Sequence, residues 1–167
     1  MTDGWLSAQA WATVQASVPV MCVDILVCRP GRTDTVGLIL RPTPHQGPRW
    51  ALVGGRLLRD ERLDAAVDRQ WREAFGPSFV RGRDRAAAPL VVEYARTDHG
   101  PGPHDPRQHA ISTTFLVDGH GEPHVHGTEA LDFRWATLDD LRADPPGFGQ
   151  LDVVERAAAL LDAEAVR

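Results

Sequence analysis

Apolar and polar positions alternate along this chain in blocks that read as helix and strand in turn. Ser7 is placed to cap a first helix over about residues 8–16, with Trp11 and Val14 on one side. Val18 to Cys28 is a β-branched apolar run and predicts a buried strand. Pro30 to Thr35 is a turn, and Val36 to Leu40 returns as the second arm of a hairpin. Pro42 to Arg49 carries three prolines and reads as a loop, and Trp50 to Val53 is a short strand running into Gly54 and Gly55. A helix follows from about Arg62 to Phe75, with Leu63, Val67, Trp71 and Ala74 on one apolar side, and Gly76-Pro77 stops it.

Beyond that helix, Arg81 to Arg85 reads as a charged connector, and Pro89 to Ala95 and Ala110 to Val117 as strands. Thr97 to Gln108 and Gly119 to Gly127 are irregular, histidine-bearing loops. Asp132 to Ala136 is a last strand. Thr137-Leu-Asp-Asp then starts a helix in the manner of a capping box, with Asp140 in the position usual for Glu or Gln. Pro145-Pro146 precedes a final helix over about residues 151–165. With no internal repeat and no low-complexity tract, a single mixed α/β domain over residues 1–167 is the expectation.

Composition narrows the classes. The chain has 167 residues, 43% hydrophobic and 25% charged, the proportions of an ordinary globular protein. A net charge of −5 argues against sequence-independent nucleic-acid binding, which needs a basic face. No stretch has the length and apolarity of a membrane span, and the N-terminus lacks the pattern of a signal peptide. A cytoplasmic protein is expected. Cys22 and Cys28 fall on one strand at a separation of roughly 20 Å, too far for a disulfide, and are read as buried thiols.

Candidate chemistry concentrates in Leu52 to Gly76. Two glycines permit a sharp turn and bring a bare carbonyl close to a ligand. That carbonyl and nearby helix carboxylates converging on one point would make a hard-oxygen site for Mg2+ or Mn2+ bound to a diphosphate. Asp24 lies mid-strand in an apolar run, where a carboxylate is costly unless it is paired or faces a cleft. An edge-facing or salt-bridged aspartate and a ligand contact both satisfy that condition.

Gly55, Glu61, Arg69, Glu73 and Gly76 fall at the spacings of the Nudix box, and the chain resembles the Nudix hydrolase superfamily. The implied fold is a Nudix-type α/β/α sandwich with a mixed β-sheet. The resemblance extends to the GDP-mannose mannosyl hydrolase branch through Ser17-Val-Pro-Val, Val23-Asp24-Ile and Arg41 nine residues before Trp50. Gly54-Gly55-Arg56, Leu63-Asp-Ala-Ala and Asp132-Phe-Arg-Trp extend it further. It implies substrate contacts by Asp24 and Arg41, support of phosphate and metal loop by Arg56 and Arg69, and a divalent ion on Gly54, Glu73 and Glu129. Glu61 has an outer-shell role in such boxes and is otherwise read as a charge favoured at a helix N-terminus. Related hydrolases also imply a homodimer.

Two box carboxylates are missing. Gln70 stands where most Nudix enzymes carry a metal-binding or basic Glu, and an amide cannot accept a proton at neutral pH. Ala74 replaces a principal metal ligand. Glu129-Ala130 occupies the place of a Gln-His pair that supplies a ligand and the base in the mannosyl hydrolases. His109 matches a histidine of that branch and is the candidate substitute base or substrate contact. The loop histidines match no defined zinc spacing. Three readings follow: a divergent hydrolase of a nucleoside diphosphate linked to a sugar or similar group, a Nudix-fold binding or regulatory protein, and an enzyme of altered, metal-independent chemistry.

Overall fold

The computed structural model describes residues 6–43, 47–96, 102–125 and 130–165. In chain order the elements are α1 (Ala8–Ser17), β1 (Val20–Cys28), β2 (Thr35–Thr43), β3 (Gly47–Ala51), β4 (Val53–Arg56) and α2 (Leu63–Phe75). There follow β5 (Val80–Asp84), β6 (Leu90–Tyr94), β7 (Ala110–His120), β8 (Asp132–Thr137), α3 (Leu138–Ala143) and α4 (Leu151–Ala165).

The eight strands form one mixed sheet. Its main path is β3-β2-β1-β7-β5, with β4 on β1, β6 on β7 and β8 on β2. Only the central pair, β1 and β7, is parallel among these ladders, in register from Val20↔Ala110 to Cys28↔Asp118. The strand-long apolar run in β1 follows from this position, because a central strand is covered on both faces. Cys22, Leu26 and Cys28 pack with Val153, Val154, Ala157 and Leu161 of α4. Val23, Ile25 and Val27 pack with Ala66, Val67, Trp71 and Phe75 of α2. The sheet thus lies between α2 and α4, and the expected α/β/α sandwich is the observed architecture.

Trp71 anchors the α2 side. Its ring stacks on Phe79 with centroids 5.2 Å apart, and its indole N–H donates to the Phe79 carbonyl at 2.7 Å. α2 ends at Gly76 in a left-handed conformation (φ 65°), as the glycine-proline signal predicts. Ser7 caps α1, and Thr137 with Asp140 forms a full capping box on α3. Both cysteines are buried and unbridged.

Two expectations are corrected. The proline-rich segment before Trp50 is strand on both sides of residues 44–46, with Pro42 opposite Pro48 in the β2–β3 ladder. The charged connector is also strand: β5 pairs antiparallel with the end of β7. Among the described residues no helix is long and apolar enough to cross a membrane.

Candidate functional site

The loop between β4 and α2 is held by one guanidinium. Arg69, on α2, donates Nε and Nη2 to the two oxygens of Glu61 at 2.7 and 2.9 Å. It also donates to Glu73 Oε2 at 3.3 Å and to the Arg56 carbonyl at 3.2 Å. Glu61 Oε2 accepts from the Leu58 N–H at 3.0 Å as well. The Arg69 pair holds the Glu61 carboxyl below its usual range, and the Glu61 partner raises the guanidinium in turn. This fork-on-fork geometry fixes the glycine loop against the helix.

Gly54 then meets β1 with no room to spare. It pairs with Asp24 across the ladder, and a Cβ at Gly54 would fall on Asp24 Oδ1 and close on the Val23 carbonyl at 2.9 Å. The glycine is required here by a carboxylate as much as by a ligand. Its carbonyl accepts from Arg41 Nη1 at 3.0 Å. The neighbouring Gly55 carbonyl accepts from Gln70 Nε2 at 3.0 Å.

Asp24 is buried, and the donor that reaches its Oδ2 is the Tyr94 hydroxyl at 3.0 Å. The direction of that bond is fixed from the far end. The Leu52 N–H donates to Gln150 Oε1 at 2.9 Å, so the amide presents Nε2 to the Tyr94 oxygen at 3.1 Å. Tyr94 therefore donates its own proton to Asp24. Burial raises the Asp24 carboxyl above its ordinary value, offset in part by the Tyr94 hydroxyl and by the charge of Arg41. Burial, then the Asp24 charge, raises the Tyr94 phenol well above 10. Cys22 is pushed up to about 12, first by burial.

These groups line one cleft of about 660 Å³, which Asp24, Arg41, Gly54, Arg56, Arg69 and Glu73 all reach. Trp11, under the Arg56 guanidinium at 4.7 Å, forms part of the wall. Another part is Asp105, buried and gripped by Arg107 at 2.8–2.9 Å, with Arg107 lying over Phe148 at 5.5 Å. Gln108 links this wall to α1, its Oε1 accepting from Gln15 Nε2 at 2.9 Å.

Tyr94, Gln150, Asp105 and Arg107 belong to no motif legible in the sequence. The apolar setting of Asp24 signals that a partner is needed, but Tyr94 lies 70 residues away and no spacing links the two. His109 does not line the cleft. Its Nε2 lies 2.9 Å from Glu93 Oε1 at the partly exposed β6–β7 edge. His124 lies 2.8 Å from Ser78 Oγ, and His120 ends β7. Glu129, His99 and His126 lie outside the described residues.

Among the described residues, which leave out Glu129, the donor set does not fit a divalent ion. The Gly54 carbonyl, both oxygens of Glu61 and one of Glu73 already accept N–H groups. Ala74 adds only a methyl to the cleft wall. Within the box, the buried oxygen Gln70 Oε1 has no hydrogen-bond partner among the described residues, and it is a neutral amide. Hard cations take about six oxygens, several of them anionic. No group of three or more His, Cys, Asp or Glu converges for a metal among the described residues.

A family model described as a domain of unknown function, DUF4916, matches residues 1–159. No curated protein matches the sequence. Among solved structures, one described as a possible asymmetric diadenosine tetraphosphate hydrolase from Jonesia denitrificans is 26% identical, with a TM-score of 0.74 over 87% of this chain and 98% of that one. A MutT Nudix hydrolase from Burkholderia pseudomallei is 22% identical, with a TM-score of 0.63 over 87% and 99%. The Nudix domain of NrtR from Shewanella oneidensis, complexed with ADP-ribose, is 18% identical, with a TM-score of 0.64 over 97% and 100%.

Proposed function

From the premise that the chain belongs to the DUF4916 family and carries the Nudix fold, we propose that it is a divergent, single-domain Nudix-type hydrolase of a nucleoside diphosphate linked to a sugar or similar group. One observation carries this reading: Arg41, Arg56 and Asp24, from three separate strands, converge on one cleft beside the glycine loop. Arginine forks suit diphosphate oxygens, and a buried carboxylate suits a hydroxyl-bearing group such as a sugar. Arg69 acts on the ligand through the loop, because its three nitrogens are engaged with Glu61, Glu73 and the Arg56 carbonyl. The neighbour described as a diadenosine tetraphosphate hydrolase and the one holding ADP-ribose support a ligand with linked phosphates. The resemblance of Val23-Asp24-Ile and Asp132-Phe-Arg-Trp to the mannosyl hydrolases makes GDP-mannose the first nucleotide sugar to try.

A panel of nucleotides and nucleotide sugars, assayed with and without Mg2+ or Mn2+, tests the reading by product. Nucleoside monophosphate plus sugar phosphate reports attack at phosphorus, and nucleoside diphosphate plus free sugar reports attack at the anomeric carbon. Arg41→Ala should lose turnover. A second reading, a nucleotide-binding or regulatory protein, is favoured by Gln70 and by the buried Ala130, which leave neither familiar base position with a proton acceptor. It predicts calorimetric binding of a nucleotide and no product after long incubation.

A further inference from the structure

Every described group that the box offers to a metal is engaged by an N–H donor of this same chain. Arg41 Nη1 holds the Gly54 carbonyl, Gln70 Nε2 holds the Gly55 carbonyl, and Arg69 holds both oxygens of Glu61 and one of Glu73. Two of these three donors are guanidinium cations. An ion on the Gly54 carbonyl would share that oxygen with a positive charge already 3.0 Å from it. The two substitutions act in the same direction. Gln70 turns an acceptor position into a donor, and Ala74 removes an anion from the wall.

The loop is nevertheless tied to the helix, through the bidentate Arg69–Glu61 pair at 2.7 and 2.9 Å. What a divalent ion supplies in such a cleft is rigidity at the glycine turn and positive charge for the phosphates. Here Arg69 supplies the first, and Arg41 and Arg56 supply the second.

We infer that arginines replace the divalent ion in this cleft, so that it takes the diphosphate of its ligand without a metal. This inference rests on the proposed reading of a diphosphate ligand but does not depend on turnover.

Inorganic pyrophosphate titrated calorimetrically in excess chelator tests it directly. Pyrophosphate is expected to bind under chelator. Arg41→Ala, checked for fold by circular dichroism, should weaken that binding about tenfold or more, the loss expected for a charge-assisted hydrogen bond. If that variant does not fold, Arg41→Lys keeps the charge without the fork and should weaken binding several-fold. In parallel, the spectrum of Mn2+ in paramagnetic resonance should stay that of the free ion when protein is added. Pyrophosphate binding that needs added Mg2+, or none in either condition, overturns the inference. So does Mn2+ held by the native protein and released by Glu73→Gln, or an Arg41→Lys protein that binds as tightly as the native one. If pyrophosphate binds under chelator while no nucleotide sugar does, the inference stands and the proposed substrate class fails.

Discussion

At Gln70 a single residue decides what the glycine loop can become. Its amide N–H donates to the Gly55 carbonyl, and it is 5% exposed. Gln70→Glu, which would place there the carboxylate that most Nudix enzymes carry, sets an oxygen against that carbonyl and buries its charge. The variant should lose about 1–3 kcal/mol in urea unfolding, the cost of a buried polar group deprived of its partner. Asp24 makes the complementary case. Its carboxyl is raised from 3.8 by burial, so the folded protein holds a proton that the unfolded chain has already released. Stability should therefore decline as pH rises from about 3.8 through the folded-state value, and Asp24→Asn should lack that decline. Unfolding midpoints across the acid range, compared between the two proteins, read the difference. A native protein with no such slope would show that Asp24 is better solvated than its burial implies.

Among the elements, legibility follows position in the sheet. β1 and α2 are plain in the sequence because each carries one strong pattern: an apolar run broken only by Asp24 for a strand covered on both faces, and spacings of three and four for a helix covered on one. The two misread stretches, Pro42 to Arg49 and Arg81 to Arg85, lie at opposite ends of the sheet's main path. Strands there tolerate prolines and charges that would break a central one, and those residues hide the strand pattern. Pro42 faces Pro48, and Arg81 is spent on ion pairs with Asp68 and Asp84. The site divides in the same way. Its local half, Gly54 to Glu73, is legible, and its long-range half, Tyr94 and Gln150, is visible only once β6 pairs with β7 and the residue before α4 reaches the Tyr94 hydroxyl. Tyr94→Phe tests that half. It strips a donor from Asp24 and an acceptor from Gln150 Nε2, and should cost about 1–3 kcal/mol. Because the phenol lowers the Asp24 carboxyl, its removal should also carry the acid-range decline to higher pH.

For the whole molecule, charge sets the terms on which an anionic ligand arrives. The chain carries −5 overall, so its long-range field does not draw in a diphosphate, and attraction has to come from arginines within the cleft. Screening at about 0.1 M salt acts beyond roughly 10 Å and weakens that distant repulsion along with any attraction. Binding in the cleft should therefore depend weakly on salt, unlike the steep loss shown by proteins that bind phosphate backbones on an open basic face. Linkage makes the same event visible in stability. A ligand at a hundredfold excess over its Kd, binding only the folded chain, adds about 2.7 kcal/mol. For a domain of this size each kcal/mol raises Tm by about 2–4 °C. A nucleotide sugar that belongs in this cleft should raise Tm by several degrees, in chelator, with little change between low and moderate salt. A shift that vanishes in chelator would return the charge to a metal ion, and one that collapses with salt would place the ligand on the open surface.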